Sequence, residues 1–187
     1  ANLDDAVFVP PPPDDMQRAL TDLEKFLHAT NLPLLVQLAV AHYQFEVIHP
    51  FLDGNGRIGR LMIPLMLVLR DALPQPLLYL SAYFEQHRAE YYDHLLVTSQ
   101  KGDLMPWIAF FLRGVRRQAR DAEERTVRLV ELQYQLRNEL LGEGRPNSVI
   151  RLAEQLFAVP LVTAPRVESM IGVTRPTAQA AIDALVE

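Results

Sequence analysis

Residues 49–60 read HPFLDGNGRIGR, and the chemistry of this stretch organises the rest of the chain. Gly54, Asn55 and Gly56 stand where a loop gives way to an apolar run of helical period. Their backbone N–H groups therefore converge at the positive end of a helix dipole, where an anion is favoured. Arg57 and Arg60 are three residues apart, which sets both guanidiniums over the first turns on one side of that helix. Planar, permanently charged forks suit phosphate oxygens. Asp53 adds a hard oxygen ligand, and one carboxylate sharing an ion with substrate phosphates is the usual protein site for Mg²⁺. His49 stands at the edge of the loop, and a side chain whose ordinary pKa is roughly 6.5 suits a general base for a hydroxyl. The spacing predicts a polyphosphate and metal cradle with a base at its rim. On spacing alone the competing reading is a plain turn capped by Asp53 or Asn55, with surface arginines. No GxxxxGK[ST] occurs, which lowers the case for an ordinary P-loop.

The 187 residues allow one sizeable core or a core with a small appendage. At 49% hydrophobic and 22% charged, with a net charge of -5, the composition is globular and argues against a chain built mainly to coat nucleic acid or an anionic membrane. Zero cysteines exclude a disulfide framework, a thiolate zinc site and a cysteine nucleophile. The longest apolar run, LMIPLMLVL at 61–69, falls far short of the ~20 residues that cross a bilayer. With no leader pattern at its start, the sequence reads as soluble and cytoplasmic.

Outward from the loop, hydrophobic periodicity predicts an all-α chain. AVFVPPPP suggests a short edge strand stiffened by proline, with a helix after it bearing Met16, Leu20, Leu23, Phe26 and Leu27 on one face. The next segment, 33–49, is apolar on most sides and ends at Pro50, which places His49 at a helix end. The run after Arg60 is also apolar all round and reads as a core helix kinked at Pro64. An amphipathic segment from Ser81 to about Gln100 stops at Gly102. A long mixed-charge helix from about Leu104 meets the breaker GEGRPN at 142–147, the predicted boundary between a core domain, 1–141, and a tail, 142–187. In the tail, Gly172 and Pro176 suggest a helix-turn-helix, read as a partial winged-helix-like segment that ends before a wing.

HPFLDGNGRIGR meets every fixed position of the signature HxFx[DE]GNGRxxR and so resembles the Fic family, at His49, Phe51, Asp53, Gly54, Asn55, Gly56, Arg57 and Arg60. AVFVPPPPDDM is similar to the end of that family's flap, a remnant at 6–13 here. LYLSAYFEQHRAEYYDHL is similar to its later helix, so the resemblance spans about residues 6–115. It implies a helical core that transfers AMP from ATP to a protein Ser, Thr or Tyr hydroxyl, of a target protein or of the chain itself. In that reading His49 is the base, Asp53 holds Mg²⁺, Gly54, Asn55 and Gly56 form the anion hole, and Arg57 and Arg60 take the outer phosphates. Phe51 packs inward, and His87 stands where relatives often have an adenine-contacting Asn. The flap implies docking of a target backbone as an added strand.

The inhibitory motif of many relatives, [ST]xxxE[GN], is not met, because Glu139 occupies the Ser/Thr position before Glu143-Gly144. An inhibitory helix is therefore expected before residue 1 or on a separate, antitoxin-like partner. Glu46, one turn before His49, either orients its ring or is a surface carboxylate. His28, His42 and His94 share no metal-ligand spacing and read as packing or surface residues; Tyr91, Tyr92 and Trp107 read as core. From Arg145 onward four arginines meet four acids, so DNA binding has weak support. The readings left open are another nucleotide-dependent transfer on the same fold, an ATP-gated DNA-binding regulator, and a homodimer.

Overall fold

Pro13 opens the first helix because a proline there gives up an N–H that has no intrahelical partner in any case. In the computed structural model, which describes residues 8–186, α1 runs Pro13–His28, with Asp14 and Asp15 in its first turn and Lys25 and His28 in its last, as the helix dipole favours. Then follow α2 (Leu34–Ile48), α3 (Asn55–Leu69), α4 (Leu80–Gln86), α5 (Arg88–Lys101) and α6 (Met105–Gly142). Helices α7 (Asn147–Leu156), α8 (Ala164–Ile171) and α9 (Arg175–Val186) complete the chain. No strand occurs among the described residues. Of the predicted edge strand, residues 6 and 7 lie outside the described residues. Residues 8–12 form no strand, since Pro10 to Pro13 supply no backbone donors to a ladder.

The chain divides into two compact units, residues 1–122 and 123–187, with the division inside α6. In the first, α2 is the central element. One side of it meets α1 through Leu23, Ala41, Phe45 and Ile48, with Met16, Leu20, Phe26 and Leu27 packed around them. The other side joins Ile63 and Leu67 of α3 and an aromatic cluster of Tyr83, Phe84, Tyr91, Trp107, Phe110 and Phe111. Trp107 is fully buried, and its indole N–H donates to the Ala39 carbonyl at 2.7 Å. The frayed end of α1 is satisfied by side chains: Gln37 and Arg70 both donate to the Ala29 carbonyl, at 2.9 and 3.1 Å.

Two expectations are corrected. Helix α3 is not buried all round; Ile58, Leu61, Leu65 and Leu69 form an exposed stripe, while Gly59, Ile63 and Leu67 face inward. Periodicity alone could not separate the two, because the stripe is as apolar as the buried face. The segment after Ser81 is two helices rather than one, broken at His87, whose Nδ1–H donates to the Tyr83 carbonyl at 2.9 Å and competes with helical bonding there.

In the second unit, Leu140 near the end of α6 packs with Val149, Leu152, Val167, Ile171, Ala178 and Ala181. Glu154 of α7 accepts from Arg137 of α6. Gly172 ends α8 in the left-handed conformation, φ 65, which a glycine adopts without a Cβ penalty.

Candidate active site

The site is built where α2 stops and α3 starts. His49 caps α2 with φ 50 and ψ 55, a left-handed conformation rare outside glycine, while its N–H still bonds the Phe45 carbonyl at 3.0 Å. Its Nδ1 lies 3.3 Å from the Glu46 carbonyl. A carbonyl only accepts, so in the neutral ring this contact puts the proton on Nδ1 and leaves the lone pair on Nε2. That is the tautomer which the role expected of His49 from the sequence would use.

Asn55 is buried, and its amide clasps the main chain of Phe51, accepting from its N–H at 2.9 Å and donating to its carbonyl at 2.6 Å. Phe51, expected to pack inward, is 47% exposed, although its ring lies 6.4 Å from that of Phe45. The loop is fixed by the amide clasp instead of by the aromatic ring. Gly54 caps α3 with φ 88, and its own N–H is taken by Asp53 Oδ1 at 2.7 Å. The N–H groups of Asn55, Gly56 and Arg57 are the first of the helix, which no preceding turn of the helix can satisfy.

Charge is gathered around this turn. Asp53 Oδ2 accepts from Arg57 Nη2 at 2.9 Å, and both side chains are mostly exposed. The Arg60 guanidinium folds back across Gly56: a Cβ added there would lie 2.8 Å from Arg60 Nη1. Behind Arg60, between α2 and α3, stand His42 and Glu46. A Cβ on Gly59 would meet Glu46 Oε1 at 2.7 Å, so glycine is what lets that carboxylate lie between the helices. Burial holds the His42 imidazole down to about 4 from its ordinary 6.5. Burial pushes Glu46 up, against the pull of Arg60, His49 and the Tyr91 hydroxyl.

Beside His49 opens a cavity of about 490 Å³. Its walls are chiefly apolar and come from Phe8, Val47, Tyr92, Leu95 and Leu96, with Glu46, Asp93 and Ser99 as polar groups. A second cavity, of about 210 Å³, is lined by Arg60, Ser81, Glu85, Arg88, Tyr91 and Tyr92 among others. The predicted residues His49, Asp53, Gly54, Asn55, Gly56, Arg57 and Arg60 are all brought together in one loop and one helical turn. His87 is not: it packs against Tyr83, with ring centroids 4.2 Å apart, and lines neither cavity. Tyr92, read as core, is 54% exposed and lines both cavities, whereas Tyr91 is buried as expected. Sequence reasoning missed the face Tyr92, Leu95, Leu96 and Ser99. Its spacing of three, four and seven marks one side of a helix and was the available signal.

Among the described residues no group of three or more His, Asp or Glu forms a self-sufficient metal site. The lone, exposed Asp53 fits instead an ion shared with phosphate oxygens.

Residues 2–67 match the sequence model of the Fic/DOC family. The chain is similar to the protein adenylyltransferase Fic of Culex quinquefasciatus and to that of Aedes aegypti, each 35% identical over 124 residues, or 65% of this chain and 22% of the relative. The corresponding protein of Drosophila ananassae is 34% identical over 105 residues. The chain thus spans only 22% of the length of the first two relatives. Among solved structures, a Fic family protein from Desulfovibrio desulfuricans G20 is similar, with a TM-score of 0.59 and 29% identity, over 91% of this chain and 47% of that one.

Proposed function

Since this chain carries a Fic/DOC-family domain, we propose that it is a protein adenylyltransferase, moving AMP from ATP to a hydroxyl of a target protein or of itself. The observation that carries the reading is the run of a histidine that lines a cavity of nucleoside size, followed within one loop by the first N–H groups of α3 and two arginines. The nucleoside enters the apolar cavity against Tyr92, Leu95 and Leu96, and the phosphates extend toward the turn at 54–56. The N–H groups of Asn55, Gly56 and Arg57 take the oxygens of the reacting phosphate, and Arg57 and Arg60 take the outer ones.

His49 Nε2 then accepts the proton of the target hydroxyl. The hydroxyl oxygen forms a bond to the α-phosphorus as the bond from that phosphorus to the pyrophosphate oxygen breaks, and pyrophosphate leaves. Charge accumulating on the reacting phosphate meets donors already in place. Asp53 would hold Mg²⁺, released from its pairing with Arg57, and the ion would neutralise phosphate charge. Residues 1–141 form the catalytic part in this reading, and 142–187 a winged-helix-like appendage. The second cavity, with Arg60, Arg88 and Ser81 in its wall, suits an acidic side chain from an inhibitory helix, in this protein or in a partner. A cytoplasmic location, with ATP at hand, belongs to the same proposal.

Intact-mass spectrometry of the chain after incubation with ATP and Mg²⁺, beside His49→Ala, tests the reaction. A gain of one AMP that the variant loses is the expected result; a phosphate-sized gain would overturn adenylyl transfer. Where the chain does not label itself, transfer of labelled AMP to a cell extract, again lost with His49→Ala, is expected.

A further inference from the structure

The most unusual buried group in the first unit is the Glu46 carboxylate. Its side chain is 12% exposed, and Oε1 is buried without a hydrogen-bond partner, 3.9 Å from His42 Nε2. An acid in such a place is costly, and an apolar residue of the same shape would pack there at less expense. The fold nevertheless makes room for it by keeping position 59 free of a side chain. Glu46 also stands in two relations to His49. Its main-chain carbonyl receives the Nδ1–H, and its side chain lines the same cavity as the imidazole.

We propose that Glu46 is a positioning residue that acts through His49: its carbonyl sets the ring tautomer, and its buried carboxylate offsets the imidazolium formed when His49 takes the hydroxyl proton. The proposal rests on the adenylyl-transfer reading for what His49 does, and on the geometry alone for the pairing. The charged and titratable groups facing Glu46 are His42 and His49 from α2 and its cap, Arg60 from α3 and Tyr91 from α5. His42 is neutral near physiological pH because of its burial, so the Arg60 guanidinium is the fixed charge that favours the ionised carboxylate. The arrangement thus places a carboxylate that is mostly withdrawn from water beside the exposed ring of His49, with Asp93 in the wall of the same cavity, so that part of its attraction for a new positive charge survives screening.

The test is the NMR titration of the His49 ring in wild type and in Glu46→Gln, which keeps shape and removes charge. The titration is expected to move to lower pH in E46Q by roughly half a unit to one unit. AMP transfer at neutral pH is expected to fall about tenfold in kcat, with KM for ATP unchanged. Glu46→Asp, with its charge drawn back by one methylene, is expected to move both readouts less. A His49 titration that stays in place in E46Q, or moves upward, overturns the proposal. Should E46Q not fold, reciprocity supplies the check in His49→Ala. There the ¹³C titration of the Glu46 carboxyl is expected at higher pH than in wild type, and an unmoved titration overturns the pairing. Wild-type chain that transfers no AMP would overturn the proposed reaction instead, since the NMR readouts need no substrate.

Discussion

Asn55 and Phe51 form a closed pair, both functions of one buried side-chain amide being spent on one residue's main chain at 2.9 and 2.6 Å. Phe51 itself contributes little packing at 47% exposure, so the shape of the turn at 54–56 depends on the amide. Asn55→Ala leaves the Phe51 N–H and carbonyl without partners. A loss of about 2 kcal/mol in unfolding free energy is expected in urea titrations. ATP affinity by calorimetry is expected to drop further than that of any exposed-arginine variant, because the whole turn relaxes.

Gly54 and Gly56 fail for different reasons when a methyl is added. Gly54→Ala must hold an L-residue at φ 88, which costs about 1 kcal/mol in stability. Gly56→Ala meets only the far end of Arg60, which swings away. Its melting temperature is expected to stay near wild type while ATP binding weakens tenfold or more, about the worth of one charge-assisted contact. Equal losses of stability in the two variants would contradict this assignment.

His42 is buried as a neutral ring between Phe84 and Trp107, with centroids at 5.4 and 5.9 Å, and hydrogen-bonded through Nε2 to the Tyr91 hydroxyl at 3.0 Å. The unfolded chain takes up a proton at this residue near 6.5, the folded chain only near 4. Stability contributed here is complete above 6.5 and is lost as pH falls toward 4, to a total of about 3 kcal/mol. Glu46, raised by burial, has the opposite sign: its folded form holds a proton to higher pH, so its share of stability declines as pH rises past the ordinary carboxylate range. Unfolding free energy measured between pH 7 and 4 is expected to fall, and the slope to flatten in His42→Phe.

Trp107→Phe removes the donor to the Ala39 carbonyl and leaves a void in the aromatic cluster. A loss of about 2 kcal/mol is expected by thermal unfolding. Specific AMP transfer per folded molecule is expected to hold, since no Trp107 atom lines the site cavity.

How much of this was legible beforehand differs by element. The first-turn acids of α1, the stop at Pro50 and the breaker at 142–147 are local signals, and each marked a helix end that the structure has. The site motif is contiguous, so its residues had to be neighbours whatever the tertiary fold. The inner face of α3 was not legible, because an exposed apolar stripe and a buried one have the same composition. The packing of the His87 ring against Tyr83, at the break after Gln86, was not legible either, because helical spacing does not signal that break.

The sequence by itself determined the helical class, the end of α2 at His49 and the grouping of Asp53, the glycine turn and both arginines, since turn chemistry and helical spacing act within a few residues. Tertiary structure alone decided which face of α5 meets His49, why Gly59 must be glycine and that Oε1 of Glu46 is buried. Those outcomes depend on how closely α2, α3 and α5 approach one another, and that distance is set by packing between segments far apart in the chain.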